Sequence, residues 1–249
     1  MPRSTGFRSV GFPIRIHAGA NALAMLAEEV DRQRAKRVLV VCGRSVAEKT
    51  DLVQRAKEVL GERFAGVFDG VLAGSPLPSV EKGTAMAADT GADLLVALGG
   101  GSAVVTTRAI IILLAEGGRA QDHATKYPPG QPPVSPRLMQ PKIPNITVAT
   151  TPTTATSRAG TAVIDPETGH RLELFDPKTR PAAVIWDEAA LLSAPPQLCL
   201  SAASSCYSGV VGGLQSESSD PLTEGDLLQA HRLLAANLPL VNMKPENGG

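Results

Sequence analysis

Two rhythms of apolar and polar positions alternate along the first two-thirds of the chain. Compact β-branched or leucine-rich runs, KRVLVVCG (36–43), FAGVFDGV (64–71) and DLLVALGGGS (93–102), predict strands. Between them, SVAEKTDLVQRAKEVLG (45–61) and SVEKGTAMAADTG (79–91) carry apolar residues at helical spacing. Gly61 closes the first, and Ser79 and Gly91 bound the second. Strand-helix units in succession predict a parallel sheet covered on both faces, because parallel neighbours need a crossover and the crossover helices pack on the sheet. PIRIHAGANALAMLAEEVDRQ (13–33) adds an edge strand and a helix ahead of these units.

The rhythm breaks over residues 117–144, where prolines are too frequent for regular structure, so a loop excursion is expected. It resumes with NITVATTPTT (145–154) as a buried strand. A hairpin follows over 160–177, turned at Pro166–Gly169, and then a last strand in RPAAVIWDEA (180–189). From residue 188 the pattern becomes helical, with Asp220 and Pro221 placed as an N-cap and first-turn pair. The expected organisation is a Rossmann-like α/β nucleotide domain over 1–187, then the start of a truncated all-helical domain over 188–249.

Charge narrows the partners. Lys plus Arg and Asp plus Glu both number 24, so no global field draws in nucleic acid or an anionic membrane, and small molecules fit better. Three cysteines, Cys42, Cys199 and Cys206, lack zinc-site spacing and disulfide density, and no membrane span or secretory signal is visible. A reducing, cytoplasmic setting is the expectation.

Chemistry concentrates at Gly99, Gly100, Gly101 and Ser102, between a strand and a helix. Glycines there let the backbone approach a ligand, and the helix N-terminus presents unpaired N–H groups and a positive dipole end. A pyrophosphate is the best occupant; a plain tight turn is the structural alternative. The loop is neither G-x-G-x-x-G nor a P-loop.

At these residues the chain resembles the iron-containing alcohol dehydrogenases and maleylacetate reductases of the dehydroquinate-synthase-like fold. The family's GGGS-x-x-D-x-A-K motif is matched at Gly99–Ser102, with Val105, Thr107 and Arg108 at its aspartate, alanine and lysine. PTTATSR (152–158) resembles the family's P-T-T-A-G-T-G-S-E with two residues missing, and AVIWDEAALLSAPPQL (183–198) resembles V-x-D-P-x-L-T-x-x-P-P. The resemblance implies that Gly99, Gly100, Gly101 and Ser102 contact the pyrophosphate of NADP or NAD, and that Thr153 and Thr154 line the nucleotide. Without it, a capped strand end explains the two threonines equally well. Arg44, in the turn where the family often places an acid, suits the 2'-phosphate of NADP, or is a solvated loop cation.

The family's metal-binding helix, T-A-A-x-G-x-D-A-L-x-H, aligns on Ser201–Ala203 and puts Tyr207 at the aspartate and Val211 at the histidine. His17, His123, His170 and His231 have no metal-like spacing, so no metal is expected. Tyr207 is the specific candidate for a catalytic proton donor, with a packed helix residue as the alternative. Cys206 has no adjacent base and reads as a small packed thiol. Three glycines, Gly209, Gly212 and Gly213, imply flexibility or close packing in that helix.

Two functions follow. One is a metal-independent NAD(P)-dependent oxidoreductase on a small carbonyl or alcohol. The other is a catalytically degenerate nucleotide-binding member of the fold, acting as a homodimer or completed by a second chain.

Overall fold

The computed structural model describes residues 6–217 and 219–242. They fall into two compact units: a sheet unit of residues 14–150 and 154–193, and a helical unit from Ala194 that also takes in residues 6–13 and Thr151–Thr153.

In the sheet unit, β1 (Arg15–Gly19), β2 (Val38–Val41), β3 (Phe64–Phe68), β4 (Leu94–Gly99), β5 (Asn145–Ala149) and β8 (Ala183–Asp187) form one six-stranded sheet. Its order is β1-β8-β5-β4-β2-β3, and every neighbouring pair is parallel. The intervening β6 (Gly160–Ile164) and β7 (Arg171–Phe175) pair antiparallel as the expected hairpin. Helices α1 (Met25–Arg32), α2 (Arg44–Lys49), α3 (Leu52–Leu60), α4 (Leu77–Asp89), α5 (Gly101–Glu116), α6 (Ala120–His123) and α7 (Glu188–Leu192) fill the connections.

Alternate strand residues feed two separate apolar clusters. Leu39, Val41 and Leu95 join Val80, Ile110 and Ile111 of α4 and α5; Val38, Val40, Leu94 and Val96 join Leu26, Leu52, Leu60 and Ala190 of α1, α3 and α7. The period of two along a strand thus places a core on each face of the sheet, which is why β2 and β4 read as unbroken apolar runs.

Two local expectations are corrected. The stretch 45–61 forms two helices: extended Thr50 donates its hydroxyl to the Val46 carbonyl at 2.6 Å and accepts from the Leu52 amide at 3.3 Å, an arrangement that competes with the helical ladder. Helix α4 begins at Leu77, with Pro76 as cap, and the Ser79 hydroxyl instead donates to the Gly70 carbonyl at 2.6 Å. In the proline-rich excursion α6 is the one regular element; Thr125 bonds the Glu173 carbonyl of β7, and Lys126 and Val134 exchange a reciprocal pair of backbone bonds.

In the helical unit, α8 (Pro196–Leu214) and α9 (Pro221–Asn237) are the two long helices. Asp220 caps α9 as its sequence suggests, accepting from the amides of Leu222 and Thr223. Helix α8 is continuous through its glycines. At Gly213 the reason is packing, because a Cβ there would lie 2.8 Å from Leu227 of α9. No helix of the described residues is long and apolar enough to cross a membrane.

Three buried carboxylates tie the sheet unit together. Asp187, at the end of β8, caps α7 through the Ala190 amide, accepts from the Leu23 amide and pairs with Arg55 of α3 at 3.2 Å. Glu29 of α1 accepts from Arg15 and from His17 of β1 at 2.7 and 2.9 Å. Asp176 meets Lys142 and Lys178, and Lys142 also reaches Glu116. Burial opposes ionisation at all three, but donated hydrogen bonds and neighbouring cations outweigh it and hold each carboxyl below its ordinary value. Their stabilisation is complete above the pKa of an unfolded carboxyl and is lost as pH falls through the depressed folded values. Urea midpoints should therefore drop between about pH 5 and pH 3. Replacing Asp187 with alanine, which strands Arg55 and uncaps α7, should cost about 3 kcal/mol at neutral pH in the same titration. A loss below about 0.5 kcal/mol would remove this account.

Candidate nucleotide-binding site

The sheet order locates a crevice. The chain leaves β2 toward β3 on one side and leaves β4 toward β5 on the other, so the carboxyl ends of β2 and β4 flank a topological switch point, where open α/β sheets take ligands. The GGGS loop follows β4, and Gly43–Arg44 follows β2, with Val41 and Ala97 in register.

Gly99 ends β4 at φ +150°, a conformation L side chains avoid, and a Cβ there would sit 3.0 Å from that of Ala103. Gly100 is the extended N-cap of α5 and brings no side-chain hydrogen bond to it. Ala103 and Val104 bond back to the Gly100 carbonyl, which leaves the amides of Gly101 and Ser102 at the open first turn of a 16-residue helix. Such a terminus fits a phosphate.

The beginning of α5 is held by side chains whose sequence signal is slight. Ser75, buried at φ 51°, donates to the Ser102 carbonyl at 3.2 Å and accepts from Thr106 at 2.9 Å. Thr161 of β6 donates to the Val105 carbonyl at 2.8 Å. Arg108, fully buried, donates to the carbonyls of Ala155 and Gly160. The Thr106-Thr107-Arg108 run inside an otherwise apolar helix is the one clue the sequence offers, since polar residues buried there need partners.

Arg44 opens α2, is 77% exposed and lies 3.7 Å from Glu48, so solvent screens that pair and leaves the guanidinium available. Thr154 starts a 3-10 turn of the sheet unit, whereas Thr153 groups with the helical unit. Cys42, buried at the end of β2, is pushed up to about 12 by burial and by Asp69, and is an inert thiol at neutral pH.

Tyr207 lies on α8 in the helical unit, its ring stacked on His231 of α9 with centroids 5.4 Å apart and planes 15° from parallel. The structure therefore brings Gly99, Gly100, Gly101, Ser102, Arg44 and Thr154 into one unit and places Tyr207 in the other. Val211 follows Tyr207 by one turn on α8. At the positions that the family resemblance gives to two helical ligands, Tyr207 and Val211 present a phenol stacked on an imidazole and an isopropyl group, which do not fit a metal. Among the described residues, no group of three or more His, Cys, Asp or Glu could hold an ion. His17 serves Glu29, and His123 bonds the Gly117 carbonyl at 2.6 Å.

A family model for iron-containing alcohol dehydrogenase matches residues 13–188, most of the chain. The chain belongs to that family. Among curated relatives, maleylacetate reductase 2 of Cupriavidus pinatubonensis is 39% identical over 89 residues, 36% of this chain and 24% of the relative. Maleylacetate reductase 1 of the same organism is 26% identical over 231 residues, 93% of this chain and 56% of the relative. Among solved structures, maleylacetate reductase from Agrobacterium tumefaciens aligns over 98% of this chain and 61% of its own, with TM-score 0.78 and 20% identity. Sulfoacetaldehyde reductase from Bifidobacterium kashiwanohense, solved with NAD+, aligns over 97% and 62%, with TM-score 0.85 and 17% identity. These two likenesses show the fold. The chain spans about half the length of the curated relatives that it matches over most of its residues.

In this member of the iron-containing alcohol dehydrogenase family, Gly99→Ala should strain the turn by about 1–3 kcal/mol and fill the approach to the α5 amides. Dinucleotide binding followed by calorimetry should fall below detection while circular dichroism stays native; unchanged affinity would take Gly99 out of the site.

Proposed function

We propose that the protein is an NAD(P)-dependent oxidoreductase that reduces a small carbonyl or oxidises the corresponding alcohol, without a metal ion. The observation that carries this reading is the open α5 terminus behind Gly99, at the switch point of a family whose named relatives are alcohol dehydrogenases and maleylacetate reductases. Gly99, Gly100, Gly101 and Ser102 hold the pyrophosphate through backbone amides, and Thr153 and Thr154 line the nucleotide. Arg44 takes the 2'-phosphate, which favours NADP over NAD.

The nicotinamide, when bound, supplies or accepts the hydride. Reduction also puts a negative charge on the carbonyl oxygen, and that charge needs a donor. Tyr207 is assigned this role: its hydroxyl gives a proton to the forming alkoxide and recovers it from solvent. Metal independence rests on the side chains at positions 207 and 211, which offer one phenol and no imidazole. Those same replacements support the second reading, a member that binds dinucleotide without catalysis, as a homodimer or with a second chain.

Trp186 lies on β8 of the sheet unit and is 40% exposed, so its fluorescence offers a probe of that unit. Titration should give saturable quenching, with NADPH binding more tightly than NADH, and Arg44→Ala should remove about tenfold of the NADPH affinity only. With turnover established on a carbonyl panel, Tyr207→Phe should lower kcat by about a hundredfold with KM little changed. Binding without turnover on any carbonyl selects the second reading, and no binding by folded protein rejects both.

A further inference from the structure

A second concavity of the sheet unit is walled by two segments that each lead into a strand. Residues 135–138 of the proline-rich excursion precede β5, and residues 175–178 join β7 to β8. Together they enclose a cavity of about 420 Å³, room for a single small molecule. Pro136, Leu138, Phe175 and Pro177 give it apolar walls, and Phe175 is 44% exposed. Apolar surface left wet in a concavity is what the body of a ligand covers.

Bonds between the walls hold the cavity open. The Lys178 ammonium donates to the Leu138 carbonyl at 2.9 Å and lies 3.0 Å from the Asp176 carboxylate, which also accepts from the Lys178 amide at 2.9 Å. Ser135 and Thr125 share a hydroxyl hydrogen bond of 2.9 Å. The Asn145 side-chain amide donates to the Thr179 carbonyl at 2.9 Å and fixes the 3-10 turn Pro177–Thr179 against the first residue of β5. Walls tied in this way are preorganised. The same bonds consume the charge of Lys178, because Asp176 opposes it. Arg137 differs: it lines the cavity, is exposed, and its guanidinium makes no ion pair or hydrogen bond among the described residues. A free guanidinium beside apolar walls complements an acid carried on an apolar body.

We propose that this cavity binds a small aromatic monocarboxylate, its ring against Phe175 and the two prolines and its carboxylate on Arg137. Flat side chains favour a flat ring, since stacked faces bury area without crowding. Inorganic phosphate has no apolar surface with which to cover these walls, so the ligand differs in kind from the one that suits the α5 terminus. The place differs as well. The cavity segments lead into the amino ends of β5 and β8, whereas Gly99 ends β4 in register with Ala149, the last residue of β5. Asn145 to Ala149 is about 13 Å at about 3.3 Å per residue, which separates the cavity from the glycine loop by the length of the strand. The inference does not depend on the dinucleotide reading, since different residues carry it.

Calorimetric titration of the full chain with 2-naphthoate tests this. Saturable binding is expected, and 2-naphthylmethanol, the same ring without the charge, should bind about tenfold more weakly. Arg137→Gln and Phe175→Ala change exposed side chains, so circular dichroism should stay native while each weakens 2-naphthoate about tenfold. Excess inorganic phosphate, compared with chloride at matched ionic strength, should not displace 2-naphthoate, and Arg44→Ala should bind it as the parent does. Displacement by phosphate, or loss of binding in Arg44→Ala, would move the ligand to the carboxyl ends of the strands and overturn the proposal. So would the absence of saturable heat, equal binding of the alcohol, or parent-like affinity in either Arg137→Gln or Phe175→Ala.

Discussion

The architecture of the sheet unit depends on the turn that carries β4 into α5. At φ +150° Gly99 reverses the chain within one residue, and the absence of its Cβ lets Ala103 pack directly over the strand end. The helix that follows is apolar on nearly every side, because α4, β4 and the β6–β7 hairpin all close on it. Enclosure on that scale fixes the axis of α5 and with it the direction of the unpaired amides at its start. A terminus aimed by a buried helix is preorganised, so a phosphate there would bind without first ordering a loop.

Enclosure also forces polar solutions onto α5. Ser75 accepts backbone strain to bond the Ser102 carbonyl and Thr106, and Thr161 claims the Val105 carbonyl. These bonds bear on why valine is tolerated where the family carries aspartate. The backbone at position 105 is engaged through its carbonyl, and the open amides of the first turn are those of 101 and 102, so neither feature constrains the side chain. Losing the aspartate removes a polar group from the vicinity without loosening the helix.

The strands, their parallel order and the hairpin were legible because each depends on a local period and a short connection. The break at Thr50 and the start of α4 were not. Each is decided by a hydroxyl choosing one carbonyl over another, Val46 for Thr50 and Gly70 for Ser79, and such choices depend on backbone that only the fold brings near. Within the site Gly99 could be read from the chain alone, since its positive φ is a conformation that favours glycine. Ser75 and Arg108 could not, because what distinguishes them is burial: a serine in a turn and an arginine in a helix are ordinary until enclosed.

Tyr207 and Arg108 can be weighed by the same reasoning. Aligned against the family, both are replacements, an aspartate by tyrosine and a lysine by arginine. Tyr207 stacks on His231 with ring centroids 5.4 Å apart, which satisfies the two faces but leaves the buried Nδ1 of His231 without a hydrogen bond. Arg108 finds two carbonyls with its wider fork where a lysine would need fewer partners, yet its Nε stays buried and unbonded. Stacking and paired carbonyls are thus partial solutions, since one leaves a ring nitrogen and the other a guanidinium Nε buried and without a hydrogen bond.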